Sequence, residues 1–298
     1  MTRSSTAVVL PADPPLAVEP LLAALAAHAV PGVEQVDPAA GTVRRAVPGG
    51  HGAAVVTVRL TPTAVQAELD LAHPGDADGV VARLRRWFDL DTDVAAVDAQ
   101  LGADAVLAPL VAARPGLRVL GHVDGFEVAA TTVLGQQVSL AAARTFAGRL
   151  AATLGGWAPA TASSGGGLRT FPSAEVLADA GPTSLREATG VTGSRARTLH
   201  ALAAVCAAGL RIDPDQDLTA TRAALLAVPG IGPWTADYLA LRAMGDRDAL
   251  PSGDLVLRRA LGGVSAAATV ATAQAWRPWR AYAVTHLWTA AAYLPRTR

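Results

Sequence analysis

Leu225-Leu-Ala-Val-Pro-Gly-Ile-Gly-Pro-Trp-Thr-Ala236 is the stretch on which the fold turns. An apolar helix runs into Pro229-Gly230-Ile231-Gly232, and a second helix starts at Pro233. Two glycines flanking one apolar residue predict a tight turn with φ > 0 at the glycines. Proline at the first helical position loses nothing, because its missing N–H would be unpaired there. Ile231 is expected to plug into the core between the two helices. The hairpin amides and the N-terminus of the second helix would then face outward, ready for a phosphate oxygen. Such a contact reads backbone and not base sequence. A bare Gly-X-Gly turn is more often structural; the longer string ending in Thr235-Ala236 is far more specific.

Downstream, a loop Met244-Gly-Asp-Arg-Asp-Ala-Leu-Pro-Ser-Gly253 leads to Asp254-Leu-Val-Leu-Arg-Arg259. Asp254 alone would be read as a helix cap. Asp237, Asp246 and Asp248 read as structural, exposed or paired with arginine. Aromatic residues make up only 4% of the chain, yet Trp234, Tyr238, Trp276, Trp279, Tyr282, Trp288 and Tyr293 all fall in its last quarter. Trp234 and Tyr238 are four apart and share a helix face. Trp276, Trp279 and Tyr282 read as core.

Composition narrows the classes. The 298 residues are 51% hydrophobic, ample for two or three packed lobes. No unbroken apolar run reaches the roughly 18 residues of a membrane span. The N-terminus shows no secretory pattern. A single cysteine, Cys206, excludes an internal disulfide and a four-cysteine iron–sulfur cluster. A soluble, cytoplasmic protein is expected. The net charge is zero, but residues 1–100 hold 7 Arg against 12 Asp/Glu, and residues 223–298 hold 8 Arg against 4 Asp/Glu. A polyanion would meet the C-terminal part. All 25 Lys/Arg residues are arginine, so no lysine Schiff base can form. His122 and His286 lack metal-ligand spacing and read as structural.

Along the chain, Val18–Ala29 reads as a buried helix. Thr42–Val47 and Ala53–Leu60 read as a hairpin turned at Pro48-Gly49-Gly50, with Val65–Leu71 as a further strand. Asp76–Leu90 is an amphipathic helix. After about residue 92 only helices are predicted: Ala95–Gln100, Ala105–Ala113, Glu127–Leu134, Leu140–Leu154, Ser173–Ala178, Ser194–Ala208, Thr219–Ala227, Pro233–Met244, Asp254–Leu261, Ala266–Ala275 and Pro278–Tyr293. Pro159–Gly167 reads as a flexible loop. Gly190-Val-Thr-Gly193 looks like the hairpin at 229–232.

Further stretches point the same way: Ala113-Arg-Pro-Gly-Leu-Arg118, Val123-Asp-Gly-Phe-Glu127, Leu134-Gly-Gln-Gln-Val-Ser139 and Trp276-Arg-Pro-Trp-Arg280. Together with the hairpin and Asp254 they resemble bacterial 3-methyladenine DNA glycosylase II, the AlkA type of the helix-hairpin-helix-GPD superfamily. The resemblance runs from the Ala-Ala-His-Ala-Val stretch at 26–30 to Trp288. It implies a mainly α fold with an N-terminal α+β lobe and a DNA cleft between two helical lobes. The implied domains are 1–100 (antiparallel sheet), 125–246 (hairpin domain) and 101–124 plus 247–298 (carrying the Asp).

The resemblance makes Asp254 the catalytic carboxylate, stabilising the oxocarbenium character that develops when an N-glycosidic bond breaks. The damaged nucleotide is flipped out of the duplex to reach it. Trp234, Tyr238 and Trp288 match the aromatic base pocket, whose faces favour a cationic alkylated purine. Gln136, Gln137, Gly230, Ile231, Gly232, Thr235 and Arg258 are the implied DNA contacts. Gln137 stands where the AlkA enzyme has an aliphatic wedge; the other reading of Gln136 and Gln137 is that they cap and cross-link helices. Aromatic residues near the family's first helix are replaced by Ala24 and its neighbours, which implies a smaller or more open pocket wall. Bifunctional relatives carry a lysine near Trp234, so a monofunctional enzyme is expected. No cofactor and no side-chain metal site are implied, although family hairpins can hold a monovalent cation on backbone carbonyls. The expected partner is duplex DNA containing alkylated bases, met by a monomer. The competing readings are a non-catalytic helix-hairpin-helix module and a glycosylase for deaminated or oxidised bases.

Overall fold

The computed structural model describes residues 4–158 and 167–294. Its N-terminal part is a five-stranded, wholly antiparallel sheet in the order β1-β5-β4-β3-β2. The strands are β1 (Ser4–Pro11), β2 (Glu34–Asp37), β3 (Thr42–Val47), β4 (Ala54–Thr61) and β5 (Ala64–Leu71). The hairpin expected at Pro48-Gly49-Gly50 joins β3 to β4, with Val47 opposite Ala54. β1 and β2 are additions to the expected sheet. Both lie at its edges, where one side of the strand pairs and alternate residues are exposed. Four residues in β2 are too few for an alternation to declare itself, and β1 runs straight into a proline-rich stretch.

Two helices, α1 (Val18–His28) and α2 (Ala77–Trp87), cover one face of the sheet. Val56, Val58 and Leu60 of β4 join Leu21, Leu25, Leu84 and Trp87 in that core. On the other face, Ala46 and Val55 are covered by Ala158 and Leu168. β4 is therefore apolar on both sides near its start, as a central strand with both faces covered must be.

The remainder is helical. α3 (Val94–Leu101), α4 (Ala108–Ala113), α5 (Gly125–Leu134), α6 (Leu140–Leu154) and α7 (Ala174–Thr189) precede the hairpin. α8 (Gly193–Ala207), α9 (Leu218–Leu226) and α10 (Pro233–Arg242) form and flank it. α11 (Leu255–Ala260), α12 (Ala266–Thr272) and α13 (Arg280–Trp288) follow, and α13 continues into a π-helical turn, Thr289–Tyr293. One continuous core contains Leu101, Leu150, Leu202, Leu239 and Trp276, so these helices share their packing. α7 extends well beyond the expected Ser173–Ala178. Gly181 (φ 71°) and Pro182 kink it, and the sequence pattern breaks where the helix only bends. The expected Pro159–Gly167 loop lies, save its last residue, outside the described residues. Among the described residues no helix is long and apolar enough to cross a membrane.

Buried arginines tie the two parts together. Arg45 of β3, wholly buried, donates Nη2 to both oxygens of Glu127 on α5 at 2.8 and 2.7 Å. Arg118 donates to the carbonyls of Asp13, Asp89 and Thr92. The sheet domain is thus fixed against the helices, and the C-terminal end of α1 packs on α6 and on the π-helical turn.

Candidate active site

The hairpin forms where the sequence placed it. Gly230 has φ 89°, and a Cβ there would lie 2.0 Å from Oγ1 of Thr198 on α8. Gly232 differs from expectation: its φ is −100°, so it needs no left-handed conformation, and a Cβ there would meet nothing within 4 Å. Only one of the two glycines is required by the turn; the other leaves open space on the outer side. Ile231 is buried in the helical core. The first hydrogen bond of α10 runs from Ala236 N to Gly232 O, and no side chain caps the helix. The amides of Trp234 and Thr235 therefore have no intrahelical acceptor, as at any helix start.

α10 carries two aromatic rings inward on one face. Trp234 and Tyr238 stack with centroids 5.4 Å apart and planes 20° apart. Trp288 of α13 closes on Tyr238 at 5.8 Å. Asp254 caps α11, its Oδ1 accepting from Leu257 N at 2.7 Å. The same oxygen accepts from Trp288 Nε1 at 3.0 Å, and Oδ2 accepts from Trp234 Nε1 at 3.1 Å. The cap carboxylate thus has three donors: the helix start and two indoles fix its orientation, and the rings that hold it also line a cavity.

That cavity has a volume of about 370 Å³. Trp234, Tyr238, Trp288 and Asp254 line it, with Ala24, Leu25 and His28 from the sheet domain opposite. Ala24, where the resemblance implied a smaller or more open wall, is among the lining residues. Arg242 and Tyr293 line the cavity too, and His28 Nε2 is 2.9 Å from the Tyr293 hydroxyl oxygen. Burial, helped by the Arg242 and Arg144 charges, pushes His28 down to about 3, so its ring is neutral. Burial raises the Tyr293 phenol above its ordinary value. A flat, ring-sized group could enter between α10 and α1 and place its attachment point beside Asp254.

Family models match both parts: the AlkA N-terminal domain over residues 7–124, and the HhH-GPD superfamily base excision DNA repair protein over residues 130–279. The chain belongs to the HhH-GPD superfamily. A Mycobacterium tuberculosis protein, described as a probable bifunctional transcriptional activator/DNA repair enzyme AlkA, is 43% identical over 94% of this chain. The match covers 56% of that protein, so the chain spans about half the length of this relative. The Escherichia coli DNA-3-methyladenine glycosylase 2 is 33% identical, with 93% of this chain and 94% of that one covered. The 3-methyladenine DNA-glycosylase of Archaeoglobus fulgidus has the same fold, with a TM-score of 0.85 at 20% identity over 97% of this chain and all of that one.

Within this HhH-GPD fold the remaining expected residues separate. Gln136 donates Nε2 to Gly230 O at 3.1 Å and to Thr235 Oγ1 at 3.2 Å. It cross-links the loop after α5 to the hairpin, and Thr235 is buried beneath it. Gln137 is exposed at φ 56°, a conformation uncommon for a residue with a side chain. Arg258 is half-buried and donates Nε to Val264 O at 2.8 Å, bracing the turn after α11. Asp237 pairs with Arg222, and Asp248 with Arg277 and Arg280, as structural carboxylates. Trp276 and Tyr282 are fully buried and Trp279 half-buried, outside the cavity. Among the described residues no group of three or more His, Cys, Asp or Glu is placed to hold a metal.

Sequence reasoning did not assign His28, Tyr293 and Arg242 to the cavity. Arg242 could have been found, since it continues the spacing Trp234, Tyr238 by four more residues. His28 comes from a different domain, and no local pattern marks it.

Proposed function

We propose that this chain is a monofunctional DNA glycosylase that hydrolyses the N-glycosidic bond of alkylated purines, 3-methyladenine and 7-methylguanine, in duplex DNA, acting as a monomer. The observation that carries the reading is Asp254, held by two indole N–H groups at the edge of an aromatic cavity about 370 Å³ in volume. A DNA clamp without chemistry has no use for such a carboxylate.

The hairpin binds a phosphate through the amides of Trp234 and Thr235, with Gly232 allowing close approach. Exposed Gln137 takes the gap left in the base stack. The flipped purine enters the cavity and lies against the Tyr238 and Trp288 rings, which favour its positive charge. C1′ then lies beside Asp254. As the bond to the base breaks, positive charge develops on the deoxyribose, and a fixed carboxylate stabilises it without reorganising. Water adds at C1′, leaving an abasic site. With every cation an arginine, no lysine Schiff base forms and the strand stays intact. No cofactor takes part. The hairpin suits a monovalent cation: the carbonyls of Val228 and Gly230 each accept one hydrogen bond and keep a lone pair.

The test is methylated duplex DNA incubated with the protein and then analysed with and without hot alkali. Strand breaks are expected only after alkali. Breaks without alkali, or a protein–DNA adduct trapped by borohydride, would contradict the assignment.

A further inference from the structure

Arg242 is the cavity's physical anomaly. It ends α10, eight residues after Trp234 and four after Tyr238, so the three share a face and Arg242 lies about 12 Å further along the helix axis than Trp234. Only 8% of the residue is exposed. Among the described residues it has no carboxylate partner, and its Nε has no hydrogen bond. Its Nη1 donates to the Tyr238 hydroxyl at 3.1 Å, and its guanidinium lies 5.8 Å from the centre of that ring. Other cations of the cavity are differently placed: Arg45 is neutralised by Glu127 and Glu34, and half-buried Arg144 donates to the Ala29 carbonyl. A charge removed from water without a counter-ion destabilises the fold, and a helix C-terminus compensates only in part. The charge is felt across the cavity, since it helps hold both His28 and His122 below their ordinary range, after burial.

Asp254 stands at the other end, under Trp234. We infer that Arg242 and Asp254 are the two ends of a field across the base pocket that drives positive charge from a cationic base to the deoxyribose as the glycosidic bond breaks. This rests on the function proposed above. The C1′–N bond breaks with its electron pair passing to the base nitrogen, so the cationic base leaves neutral. The sugar carries the positive charge beside Asp254 until water oxygen bonds to C1′ and releases a proton to solvent. Arg242 repels the substrate ring before this step and has nothing to repel after it. Its interaction is least favourable in the ground state, which raises the rate at the expense of binding. Aromatic faces alone do the opposite, holding the cation in place.

The experiment compares wild type, Arg242→Gln and Arg242→Lys on duplexes containing 7-methylguanine. Single-turnover excision gives the rate, and a 2′-fluoro version that resists cleavage gives the affinity. Arg242→Gln is expected to cleave about fivefold to tenfold more slowly, the effect of a unit charge when a like charge moves a few ångströms away from it at an effective dielectric near 20, and to bind tighter by at least that factor, because the whole ground-state repulsion is removed. Arg242→Lys is expected to stay close to wild type in both. A Gln variant that loses rate and affinity together, or changes neither, overturns the inference. Should that variant fail to fold, the wild type decides: neutral 7-methylguanine must compete better than the 7,9-dimethylguaninium cation, and the reverse order overturns the inference. A wild type that releases no base from any alkylated duplex overturns the proposed function, and this inference with it.

Discussion

Substituting Gly230 by alanine tests the hairpin most sharply, because two independent terms can be read from the structure. At φ 89° an L-residue pays about 1–2 kcal/mol for the left-handed conformation. The new Cβ would also fall 2.0 Å from Thr198 Oγ1, 3.0 Å from its Cγ2 and 3.1 Å from its Cβ, and Thr198 is buried on α8. Relieving such an overlap in a packed core costs about 1–3 kcal/mol. Gly230→Ala should therefore destabilise by roughly 2–5 kcal/mol. Thr198→Ala removes the two closest atoms and leaves only the tight 3.1 Å contact to Cβ, so the double variant should lose most of the overlap and keep chiefly the conformational cost. Urea unfolding of the four members of the cycle gives the coupling. Gly232→Ala should behave in the opposite way, since its φ is −100° and its Cβ would meet nothing. Its stability should stay within about 0.5 kcal/mol of wild type, while affinity for an undamaged duplex, followed by fluorescence anisotropy, falls. If Gly230→Ala costs less than about 0.5 kcal/mol, or if Gly232→Ala is the more destabilising of the two, the hairpin's geometry is not what determines its glycines.

Three further predictions concern stability and the wedge. His28 and His286 are held near 3 and 4 by burial, and His122 well below its ordinary range for the same reason. A histidine with a depressed folded pKa binds fewer protons than the unfolded chain between that value and 6.5, so its contribution is present above 6.5 and is lost as pH falls below it; each should remove about 1.4 kcal/mol per pH unit. Unfolding midpoints between pH 7 and pH 4.5 should fall steeply, and His286→Asn should make the slope shallower; an unchanged slope would mean that ring is not held neutral. Gln136→Ala breaks two hydrogen bonds to the hairpin and should lower stability by about 1–2 kcal/mol, whereas Gln137→Ala, at an exposed tip, should leave stability alone and slow excision; a Gln137 variant with wild-type excision would remove it from the wedge role.

The sequence was most informative where function is local. The hairpin occupies a dozen consecutive residues, and its turn, its buried Ile231 and the proline that starts α10 each leave a chemical mark. Asp254, twenty residues further on, was legible by itself only as the helix cap that it is; its place at the site came from the family resemblance. The two indoles that hold it are 20 residues before and 34 after it; their aromatic character was readable, but not that both N–H groups point at one carboxylate. The edge strands β1 and β2 escaped because half of each is exposed and one is only four residues long. The second half of α7 escaped because Gly181-Pro182 reads as a stop and acts as a bend. His28 and Tyr293 meet across 265 residues of chain, a contact that depends on how the sheet domain docks. Arg242 carried the right spacing, but an arginine at a helix C-terminus is ordinarily solvated, and only its burial without a counter-ion sets it apart.

The role of Asp254 is measured most directly by release of free 3-methyladenine from methylated duplex DNA by the wild type and by Asp254→Asn, with duplex affinity measured for both. Asparagine keeps the size and the acceptor oxygen but not the charge that faces the developing oxocarbenium ion. Release by the wild type is expected, with loss of release by the variant on the order of a hundredfold or more and binding retained by both. Equal release by the two proteins would contradict that role, because the carboxylate that the helix start and the two indoles hold in place would then have no part in the chemistry.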